Sequence, residues 1–402
     1  MTDMKIFLAQ FYSHQPTPDY DKIAESLREN GHIVLVGTPD EHGTVQWHDG
    51  AKVVAAQQSK TPPSSLAGIP VVGPLAGRWY RAQQVGQIRD FIRREKPDVV
   101  QVNAMGLYRW LPVLMPRESR FVFDVRQINE PVGGGALGNL KNSIKNGLRS
   151  FICRNLYDLS CFLHEAGARK VLGEGWQKWA TVVPMGVDPQ FLSVPVKSAD
   201  LSMQHQVRFI YIGRLTTRRL LGRLIEAAAL VKEQTEEFRL TMMGYDETRG
   251  AYQEQVEDRG VGDVVDINPP IPYETVPAEI TNHDVALAYV PEVPADWKYH
   301  PTLKVIEYRA VGMPIIASDF EPNWSFVQSG VNGLLVENDP HDIAAAMLRF
   351  ITDRQFLAAC SQQAIRMREG TTWNEVAQMY LDRVYEPLTR SDSALQIQSL
   401  SS

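Results

Sequence analysis

Three arginines stand within six residues at Arg214, Arg218 and Arg219, in the run Gly213-Arg214-Leu215-Thr216-Thr217-Arg218-Arg219. Guanidinium groups are rigid forks of donors that match anionic oxygens, so such a cluster suits a diphosphate. The competing reading is a solvated basic helix start. Gly213 lets the chain turn sharply and lets a ligand approach the backbone. A second group runs from Tyr299-His300-Pro301-Thr302-Leu303-Lys304-Val305-Ile306-Glu307 to Gly312. Pro301 near its start and Gly312 at its end bracket a short helix, whose first amides form an anion site. Glu307 falls one turn beyond Leu303, on or beside the face carrying Leu303, Ile306 and Ala310. A carboxylate there needs partners: two vicinal hydroxyls of a ribose fit its oxygens, and a salt bridge to Lys304 or an arginine is the alternative.

These residues need elements to hold them. Ile6 to Ala9, Ile33 to Val36, Val99 to Val102 and Phe121 to Val125 are short apolar runs of the kind buried on both faces of a parallel sheet, while Val85, Ile88, Phe91 and Ile92 recur at helical spacing. A loop is expected around Asn129 to Gly138 and a linker near residues 184–198, after which the alternation restarts. Val207 to Ile212, Leu240 to Met243, Val264 to Ile267, Val285 to Val290, Ile315 to Ala317 and Leu334 to Val336 predict strands; Leu220 to Glu233, Thr302 to Val311, Pro340 to Ile351 and Arg354 to Arg368 predict helices. The expectation is two doubly wound α/β domains, over 1–187 and 188–370, facing across a cleft at the carboxyl ends of their strands. A helix over 371–389 carries Trp373, Val376, Met379, Tyr380 and Val384 on one face and is expected to return to the first domain. The tail 390–402 is rich in Ser and Gln and is expected to be disordered.

In the first half, Asp124-Val125-Arg126 follows a strand, and Arg126 either stabilises charge on a departing phosphate, binds an anionic acceptor, or pairs with Asp124 or Glu130 to hold the loop. Asn103, after Val99 to Val102, is a candidate of the same kind. Two motifs are decoys. Gly133 to Gly138 satisfies GxGxxG, yet Pro131 and further loop residues separate it from the preceding strand, so the tight turn a dinucleotide needs is missing. Asp19-Tyr20-Asp21 reads as the acidic start of the first helix rather than a metal site. No bound metal and no cofactor are expected.

A net charge of -6 gives no global reason to bind nucleic acid. Cys153, Cys161 and Cys360 form no CxxC pair, which fits reduced thiols in a cytoplasmic protein. Lys141, Lys145, Arg149 and Arg154 interleave with Ile144, Leu148, Phe151 and Ile152. A helix over 141–154 with that pattern either lies on an anionic membrane from its inner face or packs its apolar stripe on the first domain.

Taken together, Arg214 with Arg219, Pro301 to Gly312, Asn332-Gly333-Leu334-Leu335-Val336 and the hinge-like Val183-Pro184-Met185-Gly186-Val187-Asp188 resemble the C-terminal signature of the retaining glycosyltransferases of family 4, which have the GT-B fold. The resemblance covers roughly residues 184–385. It implies transfer of a sugar from a UDP- or GDP-sugar to a glycan, lipid-linked or small-molecule acceptor. Arg214 and Arg219 would grip the donor diphosphate, Glu307 would bind the ribose, and Gly213, Gly244, Tyr273, His300, Leu303 and Lys304 would line the donor site. The first glutamate of the family's pair is replaced by Tyr299, which leaves the donor sugar open. Asn103 and Arg126 would face the acceptor. A sugar-nucleotide epimerase or hydrolase on the same fold, and a noncatalytic binding subunit, are the alternatives.

Overall fold

The computed structural model describes residues 3–11, 18–39, 45–49, 52–57, 85–104, 106–115, 118–128, 135–195, 206–292 and 297–390. The chain forms two compact units, one of Met1–Arg126, Asn139–Met185 and Trp373–Ser402, the other of Gln127–Gly138 and Gly186–Thr372.

The first unit holds β1 (Lys5–Phe11), β2 (Ile33–Pro39), β3 (Val45–Asp49), β4 (Lys52–Gln57), β5 (Val99–Ala104), β6 (Arg120–Val125), β7 (Leu159–Phe162) and β8 (Ala180–Val182). They form one eight-stranded sheet in the order β4-β3-β2-β1-β5-β6-β7-β8. All pairings are parallel except β2 with β3 and β3 with β4, an edge hairpin the sequence reading did not include. The apolar runs form strands because both their faces are covered: Ile6, Phe7, Leu8 and Ala9 are fully buried.

Both ends of the chain complete this unit. The helix Pro18–Glu29 packs on the helix Trp373–Tyr380, and Ser26 Oγ lies 2.5 Å from Asn374 Oδ1. The turn that follows, Leu381–Tyr385, widens to a π-helix. Tyr380 and Tyr385, both fully buried, stack with ring centroids 5.7 Å apart.

The second unit holds β9 (Val207–Ile212), β10 (Phe238–Met243), β11 (Val265–Asn268), β12 (Val285–Ala288), β13 (Ile315–Ser318) and β14 (Gly333–Val336), in one parallel six-stranded sheet ordered β11-β10-β9-β12-β13-β14. The order reverses between β9 and β12, so a crevice opens at the carboxyl ends of those strands, where such sheets bind ligands. The core beneath is apolar and continuous, from Phe209, Tyr211 and Leu224 through Leu287 to Met347 and Phe350.

Two expectations change. Gly135 to Gly138 open a long helix, Gly135–Asn155, rather than ending a loop, and the rest of the glycine run lies outside the described residues, as does 391–402. Nor does that helix pack its whole apolar stripe on the first unit: Ile152 is buried with Arg149, whereas Ile144, Leu148 and Phe151 are exposed, as are Lys141, Lys145 and Arg154. Among the described residues, no helix is long and apolar enough to cross a membrane.

Candidate anion and hydroxyl site of the second unit

β9 is followed by Gly213, whose φ of 147° an L side chain rarely adopts, and β10 by Gly244 with φ 154°. The two turns touch. A Cβ on Gly244 would lie 1.9 Å from the Gly213 carbonyl oxygen, so any side chain there would push the strand ends apart. A Cβ on Gly213 would lie 2.8 Å from Lys304 Nζ, which puts the lysine ammonium directly over the end of β9.

Lys304 belongs to the helix Leu303–Val311, which Gly312 closes in a left-handed conformation by donating to the Tyr308 and Arg309 carbonyls. The fully buried Tyr308 fixes this helix against β9, its hydroxyl accepting from Ile212 N at 3.0 Å. The ammonium of Lys304 sits 4.9 Å from the centre of the Tyr211 ring and makes no ion pair among the described residues. Burial holds Lys304 well below the ordinary lysine range, the nearby Arg219 lowers it further, and Glu307 opposes both. Burial also raises Tyr211, to about 12, against the pull of Arg219. These opposed effects mark Arg219, Lys304, Tyr211 and Glu307 as one electrostatic cluster.

Arg219 closes the short 3-10 turn Thr217–Arg219. Its guanidinium lies over Trp297, 4.9 Å from the ring centre, and its Nη1 is buried without a hydrogen-bond partner. The loop is pinned from outside by Tyr252, whose hydroxyl donates to Thr216 O at 2.8 Å and accepts from Leu221 N at 3.1 Å. Arg214 faces solvent and pairs with Glu247 at 3.3 Å.

Glu307 is buried and accepts from the Tyr273 hydroxyl at 2.8 Å. The salt bridge to Lys304 that the sequence allowed is not formed at 4 Å or less. Tyr273 is half exposed and packs on Phe191, ring centres 5.6 Å apart. Tyr299 and His300 precede the helix, the His300 Nδ1 2.9 Å from the Pro301 carbonyl oxygen. The structure therefore brings Gly213, Gly244, Arg219, Tyr273, Lys304 and Glu307 together: fixed cations beside a strand end, and a carboxylate that a tyrosine already addresses. Such an arrangement can hold a polyanion next to vicinal hydroxyls.

Asn332 and Gly333, by contrast, work inside the fold. Asn332 accepts from Gln328 N at 2.7 Å and donates to Phe326 O at 2.9 Å, while a Cβ on Gly333 would lie 2.1 Å from Ile315 O. Tyr211, Glu247, Tyr252 and Trp297 were not foreseen; only the aromatic Trp297, two residues ahead of Tyr299, left a signal near a motif.

In the first unit Arg126 is buried. It donates through Nε to Asp124 Oδ2 at 2.9 Å and through Nη1 to Asp19 Oδ2 at 2.8 Å, and it covers the Tyr20 ring at 4.8 Å. Its Nη2 is left without a hydrogen bond. Asp124 Oδ2 also accepts from Tyr20, from Gln101 at 3.1 Å and from Tyr380 at 3.4 Å. Of the readings left open for Arg126, the pairing one has Asp124 and Asp19 as partners; Glu130 lies outside the described residues. Asn103 is buried at the end of β5. Asp19 and Asp21 do open the first helix. Among the described residues no three His, Cys, Asp or Glu side chains are grouped to hold a metal.

Residues 199–367 match the family described as glycosyl transferases group 1. The amylovoran biosynthesis glycosyltransferase AmsK of Erwinia amylovora is 27% identical over 172 residues, 42% of this chain and 41% of that protein. The D-inositol 3-phosphate glycosyltransferase of Thermobifida fusca is 26% identical over 178 residues, 42% and 39% respectively. The chain thus spans about two fifths of the length of these relatives. Among solved structures, a glycosyltransferase from Rickettsia africae superposes with a TM-score of 0.67 at 13% identity, covering 96% of this chain and 99% of that one. Anabaena HepE in complex with UDP-glucose gives 0.66 at 16% identity, covering 95% and 100%. The fold is therefore the GT-B fold that the sequence implied, built on two Rossmann-like α/β sheets.

Proposed function

We propose that the protein is a retaining glycosyltransferase of family 4 that takes a sugar from a UDP- or GDP-sugar held by its second unit, without a metal, and passes it to a glycan, lipid-linked or small-molecule acceptor. The observation that carries this reading is the pair of under-partnered cations, Lys304 and the Nη1 of Arg219, beside the Gly213 turn in the segment that matches the glycosyl transferases group 1 family. A diphosphate supplies the anionic oxygens both lack, and Arg214 can turn from Glu247 to it. Glu307 holds the ribose hydroxyls rather than attacking the sugar. Departure and attack then share one face of the sugar with no covalent enzyme intermediate. Asn103 and Arg126, the latter through its remaining Nη2, are assigned to the acceptor side.

Incubation with radiolabelled UDP- and GDP-sugars, with and without acceptors, tests the reading. Transfer with the anomeric configuration kept, and unaffected by EDTA, is expected. Turnover without acceptor would favour an epimerase or hydrolase, and binding alone a noncatalytic subunit. Trapping of a glycosylated Glu307 would overturn the role given to that residue.

A further inference from the structure

Large apolar side chains that are exposed singly are ordinary when scattered over a surface. In the second unit they are not scattered. Among the described residues they are Leu220, Tyr245, Tyr273 and Trp324, and each lies in the segment that follows a strand, β9, β10, β11 and β13 respectively. They share the carboxyl edge of the sheet, the edge at which such sheets take ligands.

Along that edge the strands run β11-β10-β9-β12-β13-β14. Tyr273, the partner of Glu307, follows β11; Gly213 and Arg219 follow β9; Trp297 follows β12; Trp324 follows β13. A nucleotide sugar is laid out in the same sequence, as ribose, diphosphate and sugar. With the ribose at Glu307 and the diphosphate at Arg219 and Lys304, the sugar falls over the loops after β12 and β13.

Those two loops are built as one surface. The Ser318 hydroxyl, at the end of β13, accepts from Val290 N at 3.0 Å and donates to Val290 O at 2.8 Å. Lys298 Nζ lies 5.8 Å from the centre of the Phe320 ring. The helical turn Glu321–Trp324 is anchored by the buried Asn323, whose Nδ2 donates to Ser318 O at 2.8 Å. On this turn Trp324 is 58% exposed, yet its indole N–H is committed to Asp319 Oδ1 at 2.6 Å. An exposed ring already held in one orientation loses little rotamer freedom on binding. The aliphatic hydrogens of a pyranose suit such a ring, and a carboxylate beside it accepts from the hydroxyls at the sugar's edge. Charge narrows the class further. Asp319 is exposed, and the neighbouring cation Lys298 faces Glu292 at 3.8 Å, so a sugar bearing a carboxylate would meet a like charge here.

We infer that Trp324 and Asp319 form the donor-sugar subsite, the indole stacking on a neutral pyranose and the carboxylate accepting from its hydroxyls. This assignment rests on the donor-site reading above. The full chain is titrated by calorimetry with UDP and GDP, with UDP-glucose, UDP-galactose, UDP-N-acetylglucosamine and GDP-mannose, and with UDP-glucuronate. A neutral conjugate is expected to bind best. Trp324→Ala should weaken that conjugate by about two- to tenfold, the worth of one aromatic contact, and leave bare UDP and GDP unchanged. Trp324→Phe, which keeps a ring, should restore part of the loss. Asp319→Asn, which can still accept from the indole, should weaken the neutral conjugate and improve UDP-glucuronate. Equal losses for conjugate and bare diphosphate, no loss for any neutral conjugate, or a preference of the wild type for UDP-glucuronate would overturn the inference. Methyl glucoside and maltose, titrated into the UDP-saturated protein, are the acceptor arm: a Trp324-dependent signal there in place of the conjugate effect would give the ring to the acceptor and overturn it as well. Nucleotides that bind without any dependence on Trp324 remove the subsite alone, whereas a protein that binds none of them removes the donor-site reading and the subsite together.

Discussion

Each unit buries a cation, and the two are treated in opposite ways. Arg126 in the first unit is surrounded by carboxylates. Burial alone would lower it, yet Asp124, Tyr380 and Asp19 outweigh that and hold it well above its usual value. Lys304 in the second unit is buried with another cation as neighbour, and both burial and Arg219 hold it down. A buried charge costs free energy unless it is paired. The first cation is paired within the fold; the second carries an unmet demand for an anion. The difference makes Lys304 the cation whose charge awaits a ligand, while Arg126 serves the framework through Nε and Nη1 and keeps only its Nη2 for an acceptor.

The contrast is broken most directly at Arg126. Arg126→Ala leaves Asp124 buried without its main counter-charge and should cost about 3 to 5 kcal/mol in denaturant unfolding. A variant as stable as the parent but unable to transfer would move Arg126 from the framework to the chemistry. Lys304→Met should do the reverse, weakening nucleotide diphosphate binding in titration calorimetry by about 1.5 to 3 kcal/mol, the worth of a charge-assisted bond, while stabilising the free protein. The sign follows from linkage. The folded lysine titrates below its unfolded value, so the penalty is complete below the folded pKa and fades as pH rises toward 10.5. The gain from methionine should therefore shrink over that same interval, and nucleotide affinity of the wild type should fall as the free ammonium is lost. Equal stability of the two proteins at all pH values would mean that Lys304 is not strained by its site.

Smaller effects sharpen the boundary. Tyr273→Phe removes one hydrogen bond to Glu307 and should raise the donor KM by a factor corresponding to about 0.5 to 1.5 kcal/mol, with kcat little changed. Glu307→Gln should likewise act chiefly on the donor KM. The smallest effect on stability belongs to Arg214→Ala, because its exposed pair with Glu247 is worth about 0 to 1 kcal/mol in thermal unfolding. Any loss of donor binding in that variant then reports on the diphosphate alone.

The strands and the turns after them were legible because apolar runs such as Val207 to Ile212 and Val99 to Val102 are buried on both faces and announce themselves without alternation. The edge hairpin of β3 and β4 was not read, although Asp49-Gly50 between two short runs is a recognised turn signal. In the site, Arg219, Lys304 and Glu307 could be named from local spacing. Their supports could not: Tyr211, Tyr252 and Trp297 reach the arginine loop and the lysine through contacts distant in sequence, and an aromatic in a strand or helix looks like core until the partner is known. The same limit explains Arg126, whose partner Asp19 is 107 residues away.

The composition of the first unit from both ends of the chain has a consequence for synthesis on the ribosome. Residues Gly186–Thr372 form most of the second unit as one contiguous stretch, which can close as soon as it has emerged. The first unit begins emerging earlier yet is sealed later. Until Trp373–Tyr385 is made, Gln101 lacks the Tyr385 hydroxyl that donates to its Oε1 at 2.5 Å, Asp124 lacks Tyr380, and the helix Pro18–Glu29 lacks its neighbour. The nascent protein thus holds an open seam until Trp373–Tyr385 has been made, and a stop codon ahead of Trp373 would release a chain with one finished unit and one that chaperones and proteases still recognise as incomplete.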